Sequence, residues 1–255
     1  MSIRLLDCTL RDGGYINDWK FGYRTAKSII QKLVDSNADY VEVGFLRNCS
    51  YDKNATLFNN IAELKKILPR EQKNTKFTVM ALHNKYDITK LEPNDGTVEA
   101  VRVTFHDYDI DEGLEFVKKV MEKGYKCFCN PINIMGYSDQ EILNLIQKIN
   151  QIKPYAFSIV DTFGSMIKSD LLRIYSLLEH NLDKSIVIGL HLHENLSLSY
   201  SLAQEFIGMR NVNRDCVIDG SLMGMGRVPG NLCLELIMDY MNKYDSVKYN
   251  VDSVL

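Results

Sequence analysis

Eight short apolar segments, each followed by a stretch of different periodicity, recur along these 255 residues. They are IRLLDC (3–8), YVEVGF (40–45), FTVMAL (77–82), AVRVTF (100–105), YKCFCN (125–130), AFSIVD (156–161), IVIGLHLH (186–193) and CVIDGS (216–221). Their length and their content are those of buried strands. Between most of them apolar residues return every three to four positions, the spacing of an amphipathic helix. That pattern covers 23–35, 55–68, 110–123, 139–152, 169–178, 198–207 and 232–242, and is weak only after 77–82. Eight such units in a chain of this length predict the α/β class and a single (β/α)8 TIM barrel over 1–255. An open doubly wound sheet is the architectural alternative.

The charge balance excludes some functions. A formal net charge of −3, from 30 basic and 33 acidic residues, provides no basic excess for nucleic acid. No apolar run reaches the ~18 residues of a membrane span, and the first residues lack the pattern of a secretory signal. The six cysteines are irregularly spaced, which argues against a disulfide framework and for a reducing cytoplasm. Cys127 and Cys129 form a C-x-C pair without further soft ligands nearby, and read as small buried strand residues.

In a parallel barrel the chemistry gathers at the C-terminal ends of the strands. His191 and His193 end the strand 186–193, and residues two apart on a strand face the same way. A hydrogen-bonded pair facing a polar cavity is the bland reading of H-x-H; a divalent ion held by neutral imidazoles is the sharp one. Closure of a barrel makes the first strand a neighbour of the last, and the last a neighbour of the seventh. Asp12, His191, His193 and Asn231 are then predicted to meet, although they are remote in sequence. Mixed nitrogen and oxygen ligation suits one divalent ion, Mn²⁺ or Mg²⁺ first, with Zn²⁺ or Co²⁺ as alternatives.

Three motifs in this order carry a resemblance. D-C-T-L-R-D-G-G (7–14), H-L-H (191–193) and G-M-G-R-V-P-G-N (224–231) resemble the metallolyase barrel superfamily. That group includes 4-hydroxy-2-oxovalerate aldolase, 3-hydroxy-3-methylglutaryl-CoA lyase and 2-isopropylmalate synthase, and the aldolase catalytic domain is the best match. The resemblance spans nearly the whole chain. It implies that Asp12, His191 and His193 ligate the metal and that Asn231 completes or supports the site. It implies that Arg11 stabilises an enolate oxygen, that Glu42 stands behind the site, and that Thr162, in D-T-F-G, holds a 2-oxo-acid carboxylate.

The aldolases carry a histidine a few residues past the metal aspartate, whereas this chain has Tyr15 there. An ordinary tyrosine pKa of about 10 makes it a poor base without help. His83 and His106 follow other strands, and His106 is taken as a substrate-binding candidate. Arg227, beside glycines in the last loop, could hold a phosphate or carboxylate, as such loops often do. The expected reaction makes or breaks a carbon–carbon bond through the enolate of a pyruvate-like 2-oxo acid, with an aldehyde as partner. The alternatives are a Claisen-type synthase joining an acyl-CoA to a 2-oxo acid, and a non-catalytic scaffold barrel. A homodimer, and an additional C-terminal domain or partner enzyme, complete the expectations.

Overall fold

The computed structural model describes residues 2–227, 229–244 and 249–255. The strands are β1 (Ile3–Asp7), β2 (Tyr40–Leu46), β3 (Leu57–Phe58), β4 (Lys76–Leu82), β5 (Ala100–Phe105), β6 (Lys126–Pro131), β7 (Ala156–Asp161), β8 (Val187–Leu192) and β9 (Cys216–Gly220). All pair in parallel, in the order β1-β9-β8-β7-β6-β5-β4-β2. Leu6 and Asp7 of β1 then pair with Tyr40 and Val41 of β2 and close the ring of eight. The ninth strand, β3, pairs with β2 alone. The predicted neighbours β1–β9 and β9–β8 are the observed ones.

The helices are α1 (Thr9–Asp12), α2 (Tyr23–Asp35), α3 (Ile61–Leu64), α4 (Ile110–Glu122), α5 (Asp139–Ile152), α6 (Lys168–Asn181), α7 (Ser199–Met209) and α8 (Leu234–Tyr244). α5 shows why they form. Ser138 and Glu141 make a reciprocal capping box at its start, and Ile142, Leu145, Ile146 and Ile149 form one buried stripe. Among the described residues no helix is long and apolar enough to cross a membrane.

The stretch 55–68, expected as one helix, is split. Its first part is extended, because Phe45 N donates to Thr56 O over 3.0 Å and Arg47 N donates to Phe58 O over 2.9 Å. Gly44 permits this approach: a Cβ there would stand 2.1 Å from the Thr56 carbonyl oxygen. The helix begins only at Ile61, where the Asn60 side chain accepts from Glu63 N. Pairing with β2 overrides the local periodicity, as tertiary context does.

Strand alternation sorts side chains into two environments. Val101, Val103 and Phe105 of β5 point outward into the core shared with the helices. Ala100 belongs to a separate apolar plug inside the barrel, with Leu6, Tyr40, Phe128 and Val217. Above that plug the interior becomes ionic, with Glu42, Arg102 and Asp219 at 0–3% exposure. Above them again lies the cavity at the C-terminal ends of the strands.

Candidate metal centre and active site

Asp12 reaches the cavity from α1, the single helical turn directly after β1. Asp12 N donates to Cys8 O over 2.7 Å, and Trp19 Nε1 donates to Arg11 O over 2.7 Å. Trp19 can pack this tightly because residue 14 is glycine; a Cβ there would fall 2.0 Å from the indole. Gly13 has an ordinary helical backbone, so the pair serves close approach and not a left-handed turn.

His191 and His193 come from the end of β8, both buried, with ring centroids 4.9 Å apart. Nδ1 of His193 stands 2.8 Å from the Asp161 backbone oxygen, which makes that nitrogen the donor. Nε2 of His193 is thereby left with a lone pair. It is buried without a hydrogen-bond partner, and lies 3.4 Å from Asp12 Oδ2. Nδ1 of His191 is 2.9 Å from Asp219 Oδ2, though without hydrogen-bond alignment. Ligand atoms of Asp12, His191 and His193 all lie within 4.8 Å of one another. Asn231 joins them through the backbone bridge to His193; its Nδ2 donates to Met225 O over 3.2 Å, and its Oδ1 is buried without a partner. Gly226 leaves the space between: a Cβ there would stand 2.2 Å from Asn231 Nδ2 and 2.8 Å from Asp12 Oδ2.

Orphaned buried nitrogen and oxygen atoms converging beside a carboxylate fit a divalent cation. The protonation states agree. Burial pushes the Asp12 carboxyl up, but the Arg11 guanidinium, with the two neighbouring imidazoles, outweighs it and holds it far below its usual range. Burial also lowers the His191 pKa, against the pull of Asp219, which favours the neutral imidazole that a metal requires.

A chain of buried ion pairs supports these groups. Arg11 Nε donates to Glu42 Oε2 over 2.7 Å, and Arg11 Nη1 pairs with Asp12 Oδ1. Arg102 Nη1 donates to the same Glu42 oxygen over 3.1 Å, and its Nη2 pairs with Asp219 Oδ2. Arg102 thus joins Glu42, which holds Arg11, to Asp219, which stands beside His191. Arg102 and Asp219 join the site from inward strand positions outside the three motifs. The available signal was a charge at an inward position of an otherwise apolar strand, in AVRVTF and CVIDGS.

The cavity has a volume of about 90 Å³. Arg11, Asp12, Tyr15, Thr162, His191, His193 and Arg227 all line it. Tyr15 is at the mouth, 46% exposed, with its ring edge-on to Trp19 at 4.9 Å. Thr162 is buried, and its Oγ1 accepts from Asn133 N over 2.7 Å, which leaves its own proton free to donate. Arg227 is exposed above the Phe163 ring, and its backbone N donates to Asp12 Oδ2 over 3.2 Å. Glu42 is fully buried behind Arg11. His106 is not among the residues lining the cavity. It stacks on Tyr108 at 4.7 Å, and its Nδ1 lies 3.5 Å from Asp109 Oδ2. His83 faces the same carboxylate at 3.4 Å. The six cysteines are free, with Cys127 and Cys129 buried as expected.

The model of the HMGL-like family matches residues 2–254. The chain belongs to this family. It is a carbon–carbon lyase of the aldolase and lyase superfamily. The 4-hydroxy-2-oxovalerate aldolase of Geobacillus genomosp. 3 is 23% identical over 248 residues, covering 95% of this chain and 71% of the relative. Among solved structures, the N-terminal domain of a protein designated an aldolase from Bacteroides vulgatus superposes with a TM-score of 0.80 at 24% identity, over 98% of this chain and 83% of that one. The HMG-CoA lyase of Bacillus subtilis superposes with a TM-score of 0.75 at 15% identity, over 99% and 89%.

Proposed function

We propose that this chain is a divalent-metal-dependent aldolase that cleaves or forms a 4-hydroxy-2-oxo acid through the enolate of a pyruvate-like 2-oxo acid. The observation that carries the reading is His193 Nε2, buried, unpartnered and 3.4 Å from Asp12 Oδ2 beside His191. Asp12, His191 and His193 hold the ion, with the Asn231 amide oxygen completing or supporting the site. Mn²⁺ and Mg²⁺ suit the donor set best. The ion supplies Lewis-acid polarisation of the 2-oxo group.

The other roles fall to the chain's own side chains. Arg11 presents a fixed positive charge where enolate oxygen charge develops, and its ion pairs to Glu42 and Asp12 preorganise it there. Thr162 donates its free hydroxyl proton to the 2-oxo-acid carboxylate. Tyr15 covers the mouth and, among the described residues, is the tyrosine that lines the cavity, where its hydroxyl can take part in proton transfer. Arg227 at the rim attracts the anionic substrate. Relatives at 23% identity named 4-hydroxy-2-oxovalerate aldolase support an aldehyde as the second reactant.

The test is pyruvate release from 4-hydroxy-2-oxopentanoate by protein loaded with Mn²⁺. Turnover is expected with metal, and should vanish on chelation and in His191→Ala. Cleavage that survives complete metal removal contradicts the reading. So does a metal-loaded protein that releases no pyruvate from any 4-hydroxy-2-oxo acid.

A further inference from the structure

On the β5–β6 wall of the cavity, two polar side chains make no hydrogen bond to any described residue. Asn130, on β6, is 4% exposed, lines the cavity and makes no hydrogen bond through its side chain to any described residue. Its Oδ1 is fully buried without a partner, and its Nδ2 donates to no described residue. Thr104, on β5, also lines the cavity, with no hydrogen bond to its hydroxyl among the described residues. The two residues are register partners in the β5–β6 ladder, so their side chains leave adjacent strands on the same face. Leaving a buried amide unsatisfied is unfavourable unless a ligand completes it.

Several other polar groups around the cavity are already engaged. Arg11 is held in two ion pairs, His193 Nδ1 is bonded to Asp161, and Thr162 accepts from Asn133. β5 and β6 lie opposite β9 and β1 in the ring, so Asn130 and Thr104 face the metal side from across the cavity. Next to them the wall turns apolar, with Met80 and Leu82 from β4 and Ile132 after β6. A keto acid held by Asp12, His191 and His193 would direct its growing chain toward this wall.

We infer that Asn130 and Thr104 bind the oxygen of the second reactant, which is the C4 hydroxyl of the aldol adduct and the carbonyl oxygen of the free aldehyde. This rests on the aldolase reading above. Nδ2 of Asn130 donates to that oxygen in either form. The adduct's hydroxyl has one proton to give, to Asn130 Oδ1 or to Thr104 Oγ1, and the aldehyde has none, so the pair holds the adduct more tightly than the aldehyde. The alkyl substituent then lies on Met80 and Leu82.

The experiment compares two readouts in Mn²⁺-loaded protein: kcat/KM for 4-hydroxy-2-oxopentanoate, and calorimetric affinity for oxalate, which mimics the planar enolate and lacks the second oxygen. For Asn130→Leu, kcat/KM is expected to fall at least about tenfold, the worth of one lost buried hydrogen bond, while oxalate affinity stays within twofold of wild type. Thr104→Val should show the same split more weakly, and Thr104→Ser should restore it. If Asn130→Leu does not fold, the Val and Ser variants at position 104 carry the comparison. Equal losses for oxalate and substrate overturn the inference, because the pair would then serve the keto-acid end. Unchanged kcat/KM in a wild-type background that cleaves and binds oxalate overturns this inference alone. A wild-type protein that does neither overturns the aldolase reading, and this inference with it.

Discussion

His193 Nδ1 lies 2.8 Å from the backbone oxygen of Asp161, and this contact fixes which nitrogen faces the cavity. The ring cannot turn without giving up that bond, so Nε2 stays aimed at Asp12. One Mn²⁺ per chain is therefore expected, measurable as loss of the free-ion signal in electron paramagnetic resonance. His193→Ala and Asp12→Ala should each abolish stoichiometric binding. Unaltered Mn²⁺ titration in both variants would place the ion elsewhere.

Arg102 is the one cation shared by Glu42 and Asp219. Arg102→Met leaves Asp219 buried without its guanidinium partner and Glu42 with Arg11 alone, at a cost of about 3–5 kcal/mol of stability. Asp219→Asn is gentler: it removes the negative charge beside His191 and keeps the shape. Metal affinity should fall about 10–100-fold, the usual effect of losing a group that orients a histidine ligand. Calorimetry on Asp219→Asn decides it, and affinity equal to wild type would reduce the ion-pair chain to a structural filler.

The barrel was legible in the sequence because periodicity reports burial directly. The eight segments from IRLLDC to CVIDGS are the eight strands of the ring, shifted by a residue or so at their ends. Convergence of Asp12, His191 and His193 followed from closure alone, since β1, β9 and β8 are adjacent in any such ring. The helix expected over 55–68 failed for a tertiary reason: Thr56 and Phe58 find backbone partners on β2 that a helix would forgo. Arg102 and Asp219 stayed hidden because each looks like one stray charge in an apolar strand. Only the three-dimensional ring shows that they neutralise one another, although the inward parity of Arg102 with Ala100 and Thr104 was readable.

Asp7 gives the protein a pH signature. It is fully buried, and burial pushes its carboxyl up to about 7, against the bonds from Thr9 that lower it. An unfolded aspartate titrates near 3.9. Between about pH 4 and pH 7 the folded chain therefore keeps a proton that the unfolded chain has lost. Stability contributed by this group falls as pH rises through that window and is level above it. The full effect is roughly 4 kcal/mol. Asp7→Asn lacks the titration, so its melting temperature should gain on wild type between pH 5 and pH 8. A constant difference across that range would show that Asp7 is already ionised at low pH.

Arg11 separates catalysis from metal binding. Arg11→Ala removes the positive charge at the cavity and should lower turnover about 10²–10³-fold. It also frees Asp12 Oδ1 from its ion pair, so Mn²⁺ affinity should change by no more than about tenfold. Rate and affinity measured on one preparation distinguish the two effects. Near-normal turnover would leave Arg11 as a link to Glu42 and nothing more.

Gly226 is the sharpest single-atom probe of the centre. It sits where the last loop passes between Asn231 and Asp12, and a methyl group there would stand 2.2 Å from Asn231 Nδ2 and 2.8 Å from Asp12 Oδ2. Its backbone carries no positive φ, so Gly226→Ala introduces a contact and no conformational strain. Asp12 is anchored by Arg11 and by the turn of α1, whereas among the described residues the Asn231 amide is tied to Met225 O and, weakly, to Cys8 Sγ. Asn231 should yield first. Its Oδ1 would then leave the position from which it can complete the metal site, while Asp12, His191 and His193 remain. Gly226→Ala is expected to keep the fold, by circular dichroism, and one Mn²⁺ per chain, with affinity weakened about 10–100-fold, as for loss of a supporting group. Asn231→Ala should reproduce that loss, and the double variant should add little to either, since both act through one amide. Additive losses in the double variant would show that the methyl group displaces Asp12 instead.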